Sequence, residues 1–287
     1  MSIIKDLHRL YLDKVFTPPD WLLPNLQLLC LSGSESYGCR TDLSDVDITG
    51  IVIPPKQYIV PQEYGFIYGF DTFPEFKSYE KHHIKDKDKD QELDLTVFNI
   101  VNAFRLMANN NPNWIDILFV PRRCVVYSTE IWEKVIQQKK IFLSQEAVNK
   151  YRAYSFSQMK KLDRVPIGKR KEGFDKHNFD LKFAYNLVRL NLSAEQILQG
   201  DLDIERDREV FKSIRRGEWT LDQVKEWFFS QSKKLDRLQE KCTLPLKTDK
   251  EKIKNLLKEC LNLQYQNMLE IDHSETIRKL KELVMTL

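Results

Sequence analysis

An α+β chain is predicted, strands first and helices after, from three observations. Two apolar runs near the amino terminus read as buried strands, a third run alternates polar and apolar residues, and everything beyond about residue 130 carries helical spacing. A boundary at 135/136 divides the chain into a strand-bearing part, 1–135, and an all-helical part, 136–287.

The elements follow in order. Ile3, Ile4, Leu7, Leu10, Tyr11 and Val15 recur at near-helical spacing, and "TPPDW" then breaks the chain. "NLQLLCL" (25–31) predicts a buried strand, and Gly33 to Gly38 a tight turn with a short helix. "DVDITGIVI" (45–53) predicts a second strand, stopped by Pro54 and Pro55. Residues 56–75 read as an irregular aromatic excursion. Two strands then flank a charged tip, Lys85 to Asp90. On the second of these, "ELDLTVF" (92–98), Glu92, Asp94 and Thr96 share one face and Leu93, Leu95 and Val97 the other. Asn99 fits the cap of a helix, and an Asn-Pro stop precedes a further apolar helix or strand. In the helical part, Phe179, Phe183, Leu187 and Leu190 form one stripe. Ser193 with Gln196, Thr220, and Thr248 with Glu251 stand at helix-capping positions, and Gly200 at a helix end. Trp114 and Phe119 are expected in the core.

Composition narrows the class. Five scattered cysteines without CxxC or Cys/His clustering argue against a zinc site or a disulfide framework. The first residues lack the apolar core of a signal peptide, and no apolar run approaches a membrane span, so a soluble, cytoplasmic chain without a membrane partner is expected. The net charge of +3 is unevenly spread. Lys150 to Arg189 holds eleven Lys/Arg against four Asp/Glu, a local +7 that suits an anionic partner.

The candidate site begins with Asp45 and Asp47. On a strand they share a face, about 6.5–7 Å apart, and like charges so close repel. A divalent cation removes that conflict. Mg²⁺ takes one or two protein carboxylates plus substrate phosphates, and two ions can clamp an in-line phosphoryl displacement. Asp94 is the candidate third carboxylate, with Glu92 on the same face as the alternative. The Gly33–Ser34 turn offers backbone N–H groups and a hydroxyl to a phosphate. His82 and His83 adjoin a strand and are expected on opposite faces, so neither is assigned a ligand role.

These residues are similar to the signature of the DNA polymerase β-type nucleotidyltransferase superfamily: an apolar strand, Gly33–Ser34, a spacer, Ser44-Asp45-x-Asp47 and a later strand carboxylate. "GSESYGCRTDLSDVDITGIVIPP" most resembles a group of uncharacterised predicted nucleotidyltransferases of bacteria and large phages. "NNNPNWIDILFVP" (109–121) is similar to that group's GNP…E-L-L-F stretch, with Asp116 for Glu. "DLKFAYNLVRL" (180–190) is similar to its K-x-x-x-H-x-x-R-L helix, with Asn186 for His, and "IRRGEW" (214–219) to its IRxGE turn. The likeness runs in patches from about residue 26 to 220.

The resemblance implies a small mixed β-sheet core with flanking helices, followed by a helical domain that closes over the nucleotide. Residues 1–135 would be the catalytic domain and 136–287 the nucleotide- and substrate-binding domain. It implies two Mg²⁺ or Mn²⁺ ions on Asp45, Asp47 and Asp94, with a nucleoside triphosphate held by Gly33, Ser34 and Ser44. Lys182 and Arg189, seven apart on one helix face, would meet the triphosphate, with Tyr185 between them. The basic run Lys169–Lys171 is a candidate grip on acceptor phosphates, and Arg215 and Arg216 precede a glycine turn. The implied reaction moves a nucleoside monophosphate from an NTP such as ATP to an acceptor hydroxyl and releases pyrophosphate. RNA, a transfer-RNA end included, is the expected acceptor. Nucleotidylation of a protein or small molecule, and non-catalytic nucleotide binding, are the alternatives.

Overall fold

The computed structural model describes residues 3–41, 45–89 and 91–266. Helix α1 (Ile3–Leu12) leads into β1 (Leu26–Leu31), the single-turn α2 (Gly33–Ser36) and β2 (Val46–Val52). Strands β3 (Ser78–Asp86) and β4 (Gln91–Asn99) follow the irregular stretch. Then come α3 (Ile100–Ala108), α4 (Pro112–Leu118), β5 (Val125–Ser128) and α5 (Glu130–Gln137). Helices α6 (Gln145–Met159), α7 (Lys171–His177), α8 (Leu181–Leu198), α9 (Arg208–Arg215) and α10 (Leu221–Glu240) complete the order, with residues 250–266 as α11.

The five strands form one mixed sheet in the order β3-β4-β2-β1-β5, as the α+β expectation holds. Only β2 and β4 run parallel; the other pairs are antiparallel. Both central strands are rich in branched apolar residues, which suit a pleated surface buried on its two sides. One face packs on α1: Leu7 and Leu10 meet Ile48, Val52, Leu93, Leu95 and Val97. The other face packs on helices, with Leu28, Cys30, Ile51 and Ile53 joined to Ile100, Trp132, Phe142 and Tyr151. Each such side chain stabilises the fold by about 1.5–3 kcal/mol over its exposed state.

That second core runs on through Leu187, Ile214 and Phe228 to Cys260 and Tyr265, so the apolar interior does not part at residue 135. At the far end, Tyr265 donates its hydroxyl to the Pro54 carbonyl at 3.1 Å, and the Gln27 side chain donates to Gln264 at 3.2 Å. Helix α11 thus returns to the sheet.

Local chemistry explains most boundaries. Asn99 caps α3 through the Val101 N–H, and Asn111 caps α4 with Pro112 in the first helical position, so 112–118 is helix, not strand. Thr220 and Gln223 make a reciprocal capping box. Three details depart from the sequence expectation. Ser193 is buried inside a continuous α8 and caps nothing. Thr248 donates to the Ala108 carbonyl instead, and Asp249 accepts from the N–H groups of Glu251 and Lys252. Strand β5, only four residues long, was not anticipated at all.

Candidate active site

Strands β2 and β4 place Asp47 directly opposite Asp94 in the parallel ladder. Adjacent strands lie about 4.8 Å apart, so two carboxylates face each other across one hydrogen-bonded step. Their faces are set by the pleat: Val46, Ile48, Leu93 and Leu95 fill the α1 side, which leaves Asp47, Thr49, Asp94 and Thr96 on the other. Asp45 lies exposed just before β2. Burial pushes the Asp47 carboxyl above its usual range, and the Asp94 charge pushes it further. Lys182 opposes the shift, Asp45 adds to it, and His82 opposes it. The fold therefore brings Asp45, Asp94, Lys182 and His82 within electrostatic reach of Asp47. Ser44 lies outside the described residues.

The Gly33 turn is tied to the same strand. The Ser32 N–H donates to the Asp47 carbonyl at 2.9 Å, and Thr49 Oγ1 donates to Ser32 Oγ at 2.9 Å. Gly33 has φ +58°, and a Cβ built there would lie 2.0 Å from Asp47 Oδ2. The Asp47 carboxylate fills the space that a side chain at position 33 would need. Ser34 follows, half-buried, on the single turn of α2, where Ser36 Oγ donates to the Gly33 carbonyl at 2.9 Å.

The histidines correct the sequence expectation. The β3–β4 register slips between Lys81 and Ile84, so His82 and His83 together oppose Asp94. This bulge breaks the period-2 alternation that predicts opposite faces. His82 Nδ1 lies 3.4 Å from Asp94 Oδ2, and His83 Nδ1 lies 3.2 Å from Glu92 Oε1. The His83 N–H donates to Asp94 Oδ1 at 2.8 Å, and His83 itself sits at φ +58°. Both rings therefore lean over the carboxylate face. The doublet "HH" inside the β3 run is the sequence signal for it.

Helix α8 exposes Lys182 near its start and is buried from Ala184 onward, apart from half-buried Asn186, Leu192, Glu195 and Leu198. Lys182 is exposed and attracts Asp47. Tyr185 is buried beside Cys39, with the Arg215 guanidinium 5.7 Å over its ring. Arg189 does not share an open face with Lys182. It is 4% exposed, pairs with Asp116 Oδ2 at 2.5 Å, and donates to the Tyr37 hydroxyl at 2.8 Å. Equal angular spacing along a helix says nothing of depth, and the later turn of α8 runs under the residues after α2 and within α4. Asp116 accepts further bonds of 2.6 Å from each of Tyr37 and Tyr151, whose phenols burial holds protonated. The signature patches around Tyr37, Asp116 and Arg189 thus converge on one buried hub.

The basic segment is also more committed than its sequence suggests. Arg152 pairs with Asp236 at 2.6 Å and Arg170 with Asp180, the cap of α8, at 2.8 Å. Arg215 donates to the Cys39 carbonyl at 2.8 Å, and Arg216 pairs with Glu218 at 2.5 Å. Trp114 and Phe119 are buried in the core, as expected.

The family model described as RNA repair pathway DNA polymerase beta family matches residues 16–204, a span that holds the sheet, the carboxylates and α8. The chain belongs to this family. An uncharacterised 38.9 kDa protein of Enterobacteria phage T4, from the nrdC-mobD intergenic region, is 28% identical over 110 residues. That match covers 38% of this chain and 30% of the phage protein's length. The crystal structure of a nucleotidyltransferase-like protein from Exiguobacterium sibiricum 255-15 aligns over 84% of this chain and 75% of its own, at 10% identity and a TM-score of 0.31.

DNA polymerase β-type enzymes generally work with divalent cations, and such an ion needs oxygen ligands from the protein. Among the described residues, no three His, Cys, Asp or Glu side chains close up on a point as a complete protein cage. The donor set still suits a hard ion. Asp47 and Asp94 stand in register on adjacent strands with their side chains on one face, and burial, with the Asp94 charge beside it, holds the Asp47 carboxyl above its usual range. Mg²⁺ is characteristically held in this way, by one or two carboxylates with phosphates and water completing the shell. Among the described residues, no helix is long and apolar enough to cross a membrane.

Proposed function

We propose that this chain is a metal-dependent nucleotidyltransferase that moves a nucleoside monophosphate from an NTP to an acceptor hydroxyl and releases pyrophosphate. The observation that carries this reading is the Asp47–Asp94 pair in register on parallel strands, with Lys182 and Asp45 beside it. Asp45, Asp47 and Asp94 would hold two Mg²⁺ or Mn²⁺ ions, which when bound neutralise phosphate charge and activate the acceptor oxygen. Lys182 would meet the triphosphate, and the Ser34 and Ser44 hydroxyls would donate to its oxygens. Asp94 would accept the proton of the acceptor hydroxyl as the new phosphoester bond forms and the bond to pyrophosphate breaks. Such catalysis is mostly positioning and charge neutralisation. Arg189 and Tyr185 would act from below, by fixing α8.

Residues 1–135 would supply the carboxylates and 136–287 the helical surface that meets nucleotide and acceptor. RNA is the acceptor we favour, on the family's RNA repair description and on the exposed Lys160, Arg164, Lys171 and Lys176 of the basic segment. Five free cysteines suit a reducing cytoplasm.

The test is incubation with each α-³²P-labelled NTP, Mg²⁺ or Mn²⁺, and total RNA. Label is expected on RNA, and it should vanish in Asp45→Asn and Asp47→Asn. Label on protein or a small molecule would move the acceptor, and wild-type turnover in either variant would remove the carboxylates from the mechanism.

A further inference from the structure

The β3 bulge supplies something the two-aspartate signature does not. His82 and His83 stand against a single residue of β4, Asp94. Non-glycine residues at positive φ are uncommon because Cβ crowds the backbone, and they persist where the surroundings impose them. His83 is such a residue, at φ +58°. The left-handed turn aims its N–H at Asp94 Oδ1, 2.8 Å away, where an ordinary strand residue would aim it into the ladder or at solvent. Its side chain meanwhile reaches Glu92 at 3.2 Å, which occupies the other candidate carboxylate. Asp94 Oδ2 is the oxygen left over. His82 approaches it at 3.4 Å, longer than a strong charge-assisted hydrogen bond, so Oδ2 keeps capacity for another partner. The Asp94 side chain is 22% exposed, enough for that partner to reach it.

We propose that the His82–His83 bulge is a positioning device for the third carboxylate. It commits Asp94 Oδ1 to the His83 N–H and leaves Oδ2 as the open oxygen of that carboxylate. His83 acts through its backbone, so its conformation matters more than its imidazole. His82 lines the approach to Oδ2. Partners that orient a ligating carboxylate commonly govern metal affinity by 10–100-fold. This inference rests on the reading of Asp94 as a metal ligand.

The test is Mn²⁺ binding to the full chain, followed by the loss of the free-Mn²⁺ electron paramagnetic resonance signal, beside nucleotidyl transfer. Glycine and asparagine tolerate positive φ, alanine does so poorly and valine resists it. His83→Gly and His83→Asn should bind Mn²⁺ within about twofold of wild type, and His83→Val about tenfold more weakly, with His83→Ala between. Circular dichroism establishes that each variant folds. Should the valine variant fail that check, the alanine and glycine variants decide the same question. In an Asp94→Ala background, the valine change should weaken Mn²⁺ binding no further, which a merely structural role would not produce.

Equal Mn²⁺ binding by folded glycine and alanine or valine variants overturns the inference, and so does a wild type that binds no Mn²⁺. Graded Mn²⁺ binding without transfer to any acceptor would instead keep the bulge's role and remove the proposed reaction.

Discussion

The Asp47 carboxylate occupies the space that a Cβ on Gly33 would fill, its Oδ2 2.0 Å from that position. The glycine and the aspartate of the signature are therefore one steric unit. Gly33→Ala should cost about 1–2 kcal/mol of stability, the penalty for a left-handed non-glycine residue. Its larger effect is to turn the Asp47 carboxylate away. A misplacement of about 1 Å can cost on the order of 100-fold in rate, so kcat should fall far more than thermal stability. Parallel measurement of transfer rate and melting temperature checks this, and equal, small losses in both would contradict it.

Asp47 costs the fold stability at neutral pH. Burial and Asp94 raise its titration above the unfolded value, so the native state holds the proton more tightly than the unfolded chain does. The resulting stabilisation is present below the unfolded carboxylate range and is lost as pH rises through the folded value. Asp47→Asn should therefore melt at a higher temperature than wild type at neutral pH without metal, while losing transfer. The gap should close on acidification. Melting curves from acid to neutral pH decide it.

Lys182 and Arg189 should separate cleanly. Lys182→Ala removes an exposed cation, so melting should change by no more than about 1 °C. The KM for NTP should rise about tenfold, with kcat less affected. Arg189→Ala strands Asp116 as a buried charge, which typically costs about 3–5 kcal/mol. Asp116→Asn should recover part of that loss when combined with it, and a double-mutant cycle by denaturant unfolding measures the coupling.

Arg189→Lys should behave closer to Arg189→Ala than to wild type. The guanidinium lies 4.3 Å over the Tyr37 ring while pairing with Asp116, a planar fit that an ammonium does not reproduce. Unfolding free energies of the three proteins test the order.

Legibility from sequence followed locality. The strand pattern gave β1, β2 and β4, and alternation put Asp94 on the right face, because pleat and periodicity are local properties. The His82–His83 pair escaped because a bulge is decided by the partner strand's register, which one strand's pattern does not carry. Arg189 was assigned an open face because helical angle is readable and depth is not; depth comes from what packs above. Thr248 lost its capping role to its neighbour Asp249 for the same kind of reason, since Ala108 lies 140 residues earlier and claims its hydroxyl.

The buried hub at Arg189 also has a mechanical side. Lys182 and Arg189 are seven residues apart on one stiff helix, about 10 Å of rod. Arg189 pins one end of that stretch, and Asp180, the buried cap paired with Arg170, pins the other. Lys182 therefore meets Asp47 from a length of helix held at both ends, which fixes the reach of its ammonium without fixing its rotamer.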